Sequence, residues 1–218
     1  MKQKILLVAL LVGIFFLWGN PVLYPLKLLT VFFHESSHAL MTIITGGEVV
    51  ELVVTMNQGG HVLSNGGSRF LTLTAGYLGS LGWGIVIYIS SVRTRYDKEI
   101  MFSLGFIIIL IALFFVRNIF GLGFSLFTGL VLIGLGLKAS ERINDFILRL
   151  IGLTSMMYVP LDIFSDTILR SHLRSDARML AEEIWGTTFI WGGIWLFVSV
   201  YIIFNCLRLN HKKNENLI

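Results

Sequence analysis

Apolar residues occur in long segments along this chain, and short polar stretches separate them. A helix needs about 20 predominantly apolar residues to cross the hydrocarbon core of a bilayer, and most of these segments approach that length. The pattern therefore predicts an all-α polytopic membrane protein with about six or seven transmembrane helices. The predicted helical segments are residues 5–18, 25–45, 70–90, 100–116, 119–137, 146–169 (interrupted near Pro160) and 180–207.

The stretch between the second and third helical segments has a different pattern. Residues 48–64 are rich in valine and carry the turn sequence Asn57-Gln58-Gly59-Gly60 near their middle. β-Branched residues on both sides of a glycine-containing turn are typical of two paired strands. We therefore predict a short β-hairpin directly after the second helix.

Small residues are concentrated along the third helical segment. Such residues let membrane helices approach one another closely. We therefore expect this helix to pack tightly, including against the second helix. The small residues concerned are Ala75, Gly76, Gly79, Ser80, Gly82 and Gly84.

Composition agrees with a membrane protein. Hydrophobic residues make up 55% of the 218 positions and charged residues 14%, and the mean hydropathy is +0.80. Soluble domains carry about 25% charged residues, so this much apolar surface requires a bilayer as its solvent. At this length we expect a single integral-membrane domain over residues 1–218. Any chemistry must then be built on the membrane helices themselves.

The charged residues indicate a lipid partner rather than a nucleic acid. The net charge is +4, and many of the basic residues lie at the ends of apolar segments, as Arg93, Lys98 and Arg208 do. That distribution is typical of loops that face lipid headgroups and the cytoplasm. We therefore expect a protein that contacts the bilayer and binds no nucleic acid.

The sequence His34-Glu35-Ser36-Ser37-His38 matches the pattern H-E-x-x-H within the second helical segment. Positions i and i+4 of a helix share one face, so His34 and His38 can both bind one Zn²⁺ while Glu35 acts on a bound water. His34 lies about 14 Å along the helix, near mid-bilayer, where unpaired polar groups are costly. We predict zinc ligands and a catalytic base here; the alternative is a polar helix-packing cluster without metal.

A catalytic zinc needs a third protein ligand. The single cysteine, Cys206, lies at the far end of the last segment, so a carboxylate or another histidine is required. Asp162 and Asp166 share a helix face, and either could bind the metal. Asp162 could instead cap a helix restarted after Pro160, and Asp166 could pair with Arg170 one turn later. Because Asp162 has no basic residue one turn away, it is the favoured ligand and Asp166 the reserve.

The remaining polar residues favour structural or surface roles. His61 falls in the predicted hairpin and is expected to be a solvated loop residue. Ser175-Asp176 is expected to cap the last helix, and Glu182 and Glu183 to be acids of its first turn. A basic loop within residues 170–178 is expected to face lipid headgroups; its basic residues are Arg170, His172, Arg174 and Arg178.

The segment 32–40, the following Gly46-Gly47, the hairpin and Ala75-Gly76-Tyr77-Leu78-Gly79 together resemble the site-2-protease family of membrane zinc metallopeptidases. The similarity is greatest to its small peptidase-B-like branch and covers most of the chain. In that family a Leu-Asp-Gly element on a later helix supplies the third ligand. Pro160-Leu161-Asp162 matches its first part, and Ile163 replaces the glycine. The resemblance also implies that the hairpin accepts an extended substrate strand.

Together these features predict an intramembrane zinc metalloendopeptidase. It would hydrolyse peptide bonds in or near transmembrane segments of membrane-protein or peptide substrates, using Zn²⁺ as its cofactor. The resemblance implies a location in a bacterial cell membrane. Two alternatives remain at this point: a catalytically inactive zinc-binding membrane protein, and an ion-coupled transporter that uses the acidic residues and histidines as a proton relay.

Overall fold

The structure, a computed structural model, describes residues 2–209, with side chains described for residues 5–208. It confirms an all-α polytopic membrane fold with one short β-hairpin. The helices are α1 (Lys2–Phe16), α2 (Tyr24–Ile44), α3 (Arg69–Arg93), α4 (Asp97–Phe115), α5 (Ile119–Lys138), α6 (Glu141–Phe164), α7 (Asp176–Glu183) and α8 (Thr188–Leu209). The strands are β1 (Glu48–Val54) and β2 (Gly60–Asn65).

Five of the described helices, α3, α4, α5, α6 and α8, are long and apolar enough to cross a membrane. A sixth span is possible only if α1 and α2 are counted as one, because they meet at a bend of 113°. The bend follows Asn20, whose side chain accepts a hydrogen bond from the backbone of Val22, and it contains Pro21. The two N-terminal segments are therefore at most one broken span, and the described residues contain five or six candidate spans, which overlaps the predicted six or seven at six.

Glycines bring α3 into close contact with the helices on both of its sides. A Cβ atom built on Gly84 would lie 2.9 Å from the carbonyl oxygen of Gly152 on α6. A Cβ on Gly76 would lie 2.5 Å from ring nitrogens of α2, and Gly79 would contact Ser37 of the same helix. The expected tight packing of this glycine-rich helix against the second helix is therefore confirmed.

The hairpin is antiparallel, with Val53 opposite His61 and Val54 opposite Gly60. The outer edge of β1 is covered by the loop between α4 and α5. The amide of Asn118 both donates to and accepts from the backbone of Val54, and the backbone N–H of Arg117 donates to Leu52. Within the part of the chain that the structure describes, the outer edge of β2 pairs with no other strand.

The C-terminal region differs from the predicted one in two ways. Helix α6 continues through Pro160 and ends in a π-turn over Ser165–Leu169, so the predicted interruption near the proline is wrong. Membrane helices tolerate proline because neighbouring groups satisfy the freed backbone carbonyl. The predicted last span from residue 180 is also wrong at its start, because α7 and α8 are separate helices on either side of Gly186, whose φ is +88°.

Candidate metal centre

Helix α2 places the two histidines and the glutamate of the H-E-x-x-H sequence at the base of one cavity. His34 and His38 are one turn apart, and their rings lie edge to face with centroids 4.7 Å apart. Glu35 is 5% exposed and His38 6% exposed, so both polar groups are buried inside the helix bundle. Burial at this depth requires polar partners or a metal ion.

Asp176 supplies the partner that completes this group. Its Oδ2 lies 3.1 Å from Nε2 of His34 and 3.2 Å from Nε2 of His38, and the two Nε2 atoms are 3.0 Å apart. Among the described residues, these three form the one group of three or more potential metal ligands with all donor atoms within 4.8 Å of one another. Sequence reasoning expected Asp176 only at a helix start and missed its position beside the histidines.

The donor atoms fit a tetrahedral zinc with one open position. With bonds of about 2.0–2.1 Å, ligand atoms of a tetrahedral zinc lie about 3.3 Å apart. The three observed separations of 3.0, 3.1 and 3.2 Å are close to this value. Two imidazoles and one carboxylate are also a donor set found in catalytic zinc sites. The residues present therefore fit a zinc ion.

A backbone hydrogen bond fixes the tautomer of His38. Its Nδ1 donates to the carbonyl oxygen of Thr72 on α3 over 2.6 Å. The ring proton is thereby held on Nδ1, and the lone pair of Nε2 points toward His34 and Asp176. A metal-binding histidine commonly donates its other N–H in this way, which sets the ring orientation and raises ligand basicity.

Helix α7 holds Asp176 in place from both of its ends. At the N-terminus, Ser175 caps the helix by accepting from the backbone N–H of Arg178, so its predicted capping role is confirmed, but for α7 and not for the last helix. The guanidinium of Arg178 also donates to the carbonyl of His172 over 2.5 Å. At the C-terminus, Glu183 binds Arg69 of α3 through two guanidinium nitrogens, each at 3.0 Å. The predicted place of Glu183 in the first turn of the last span is therefore wrong.

The carboxylate of Asp176 is ionised in this environment. Burial by itself would raise its pKa, but the adjacent imidazoles of His38 and His34 outweigh burial and lower the pKa below its ordinary value. An ionised carboxylate is the form that binds a cation, and the two histidines must be neutral at Nε2 to bind the same ion.

Asp162 and Asp166 line the same cavity but lie outside the group of three donors. Nη2 of Arg170 is 2.9 Å from Asp166 and 3.6 Å from Asp162. The alternative role considered for Asp166, pairing with Arg170 one turn later, is therefore observed. For the third metal ligand, the structure offers Asp176 where the sequence favoured Asp162.

The cavity has a volume of about 540 Å³ and lies between α2, α6, α7 and the hairpin. Residues 60–64 of β2 form one wall, and a Cβ on Gly60 would lie 2.7 Å from Oε1 of Glu35. His61 belongs to this strand rather than to a loop; its side chain is 58% exposed and lies 3.5 Å from Glu51. Glu35 therefore lies directly against Gly60, the first residue of β2.

Gly76 allows the close approach of α3 to both imidazoles. We expect Gly76→Ala to lower the free energy of unfolding by about 1–3 kcal/mol, because its methyl group would overlap the rings of His34 and His38. Thermal unfolding in detergent measures the loss. The control is Gly82→Ala on the same helix, where a Cβ meets no atom within 4 Å. Equal stability of the two variants would contradict this account of the packing.

Comparison with known proteins gives one family. The family model described as Peptidase M50B-like matches residues 7–206. No curated protein and no solved structure matches the chain. The matched region includes both histidines, Glu35, the hairpin and α7, so it covers the whole of the candidate metal centre.

Proposed function

This chain belongs to the Peptidase M50B-like family of the site-2-protease kind, and from that premise we propose that it is an intramembrane zinc metalloendopeptidase. Its substrates would be peptide bonds in or next to transmembrane segments of other membrane proteins. One observation carries the proposal: three metal-donor atoms converge in a cavity directly beside a buried glutamate. A metal site with a purely structural role needs ligands but no such base.

His34, His38 and Asp176 would hold the zinc in this proposal. Bound zinc supplies Lewis acidity, which acidifies a water and polarises a carbonyl group. The two imidazoles bind through Nε2, and the hydrogen bond from His38 to Thr72 keeps that lone pair available. Asp176 contributes the negative charge that makes a divalent cation favourable at this depth.

Glu35 would serve as the general base and then as the general acid. It follows His34 in the chain and is buried next to the ligand group without being one of its members. Its carboxylate would accept a proton from the attacking water and deliver that proton to the leaving amine. Because a side chain at Gly60 would overlap Glu35, the carboxylate is held directly against the first residue of β2.

The hairpin offers a place for an extended substrate. The outer edge of β1 is covered by Asn118 and Arg117, whereas β2 borders the cavity and its outer edge pairs with no other strand of the described chain. An extended peptide can add to such an edge through main-chain hydrogen bonds. A substrate strand on β2 would cross Glu35 at Gly60, so its backbone would pass the base and the metal ligands.

Metal removal tests the proposed function directly. We expect detergent-purified protein to contain about one zinc per chain and to cleave a model transmembrane substrate. A zinc chelator should abolish cleavage, and added zinc should restore it, because the ligands remain in place. Magnesium added in place of zinc is the control, since it prefers oxygen ligands. A chelated sample that cleaves at the original rate would contradict the proposal.

A further inference from the structure

Tyr77 of α3 packs directly against one of the proposed zinc ligands. Its ring is 1% exposed and lies edge to face with the imidazole of His34, with centroids 5.1 Å apart and planes at 81°. On its other side it contacts Trp195 of α8, with centroids 5.1 Å apart. Edge-to-face aromatic contacts favour one relative orientation of the two rings. Tyr77 therefore restricts the orientations available to His34.

A hydrogen bond holds Tyr77 in this position. Its hydroxyl donates to Oδ2 of Asp166 over 2.6 Å, a short bond of the kind that a charged acceptor makes. The other oxygen of Asp166 accepts from Arg170 over 2.9 Å. Asp166 lies within the π-turn over Ser165–Leu169 and Arg170 directly follows that turn; the guanidinium of Arg170 is also 3.6 Å from Asp162.

The two histidines are held in different ways. His38 is fixed through its own Nδ1 by the carbonyl of Thr72. Both hydrogen bonds that the structure describes for His34 use Nε2, the same atom that would bind the metal. When that atom binds zinc, the orientation of the His34 ring depends on the side chains that pack against the ring. Tyr77 is one of these side chains.

We propose that Tyr77 is a positioning residue that holds the imidazole of His34 in its metal-binding orientation, with Asp166 and Arg170 anchoring the Tyr77 hydroxyl. This inference rests on the proposed function, because it assumes that His34 binds zinc. Asp166 then acts on the metal site through its hydrogen bond to the Tyr77 hydroxyl and not as a metal ligand.

The test measures metal affinity in variants of this contact. Replacing outer partners of metal ligands typically weakens metal binding about 10- to 100-fold. We expect Tyr77→Phe, which keeps the ring but loses the hydroxyl, to raise the Kd for zinc about 10-fold, and Tyr77→Leu to raise it about 100-fold. Asp166→Ala should resemble Tyr77→Phe, and the double variant should be no weaker than either, because both remove one interaction. Competition with a chelator of known affinity gives each Kd.

A spectroscopic measurement separates positioning from general stability. Co²⁺ in place of zinc reports ligand geometry through its visible absorption bands, and we expect these bands to shift in Tyr77→Phe. Tyr158→Phe is the matched control: this tyrosine lines the same cavity but packs against Trp18, so its zinc Kd and Co²⁺ spectrum should equal those of the wild type.

The outcomes distinguish this inference from the proposed function. If wild type binds zinc and Tyr77→Phe has the wild-type Kd and Co²⁺ spectrum, Tyr77 does not position His34 and the proposed function is unaffected. If Tyr77→Phe lowers the unfolding temperature but leaves the spectrum unchanged, the role is structural and the inference is overturned. If wild type itself binds no zinc, the proposed function fails and this inference fails with it.

Discussion

Asp176→Ala is expected to empty the metal site and to abolish peptide cleavage. The substitution leaves two imidazoles as protein ligands, whereas catalytic zinc sites use three. Because loss of an outer partner already costs about 10- to 100-fold in affinity, loss of a ligand should raise the zinc Kd by more than about 100-fold. Zinc content after dialysis, measured by elemental analysis of protein in detergent, should fall from about one per chain to near zero.

Asp162→Ala is the matched control for this prediction. Asp162 lines the same cavity and carries the same side chain, but it pairs with Arg170 at 3.6 Å instead of joining the histidines. We expect this variant to retain its zinc. The opposite pattern, with zinc lost in Asp162→Ala and kept in Asp176→Ala, would return the third-ligand role to the residue that the sequence favoured.

Glu35→Gln is expected to keep zinc and to lose cleavage. The amide has nearly the same size as the carboxylate, so the buried position next to Gly60 remains filled. It cannot accept the proton of the attacking water, and general acid–base catalysis contributes about 10²- to 10⁴-fold to a rate. Single-turnover cleavage of a transmembrane substrate should slow by that factor, while the zinc content stays at about one per chain.

Glu48→Gln provides the comparison for the loss of a carboxylate. Glu48 is exposed at the start of β1, away from the group of donors, and its replacement should leave the cleavage rate unchanged. Wild-type cleavage by Glu35→Gln would remove Glu35 from the mechanism. Proton-coupled uptake that survives Glu35→Gln would favour a transporter over a peptidase.

The parts of the site that depend on local sequence could be predicted. His34 and His38 are four residues apart on one helix, so the geometry of that helix alone brings their rings together. The hairpin follows from valine-rich segments around a glycine turn, and the tight packing of α3 follows from its glycines. In each case the sequence signal itself lies within one short stretch of chain or one regular element.

The proposed third donor, Asp176, could not be predicted because its position depends on contacts between distant elements. Asp176 is 142 residues from His34 and lies at the start of an eight-residue helix that crosses no membrane. Its local signals, a preceding serine and a helix start, indicate a cap, and Ser175 does act as one. Only the docking of α7 through buried Ala177 and Leu180 turns the carboxylate toward the histidines.

Asp162 stays a prediction as the third ligand, but sequence reasoning did not anticipate a backbone irregularity. It was favoured because no basic residue lies one regular turn away in the sequence. The π-turn after α6 places Arg170 near both Asp162 and Asp166, eight and four residues earlier. A π-turn has no sequence signal comparable to a glycine or proline, so side-chain spacing calculated for a regular α-helix gave the pair of Asp166 with Arg170 but not the approach of Arg170 to Asp162.

The position of α7 near the end of the chain also has a consequence for biosynthesis. Helix α2, which carries the histidines, is synthesised early. Four further helices, α3 to α6, are synthesised before Asp176. With the ligands proposed here, a nascent chain cannot assemble its catalytic centre until translation has passed residue 176.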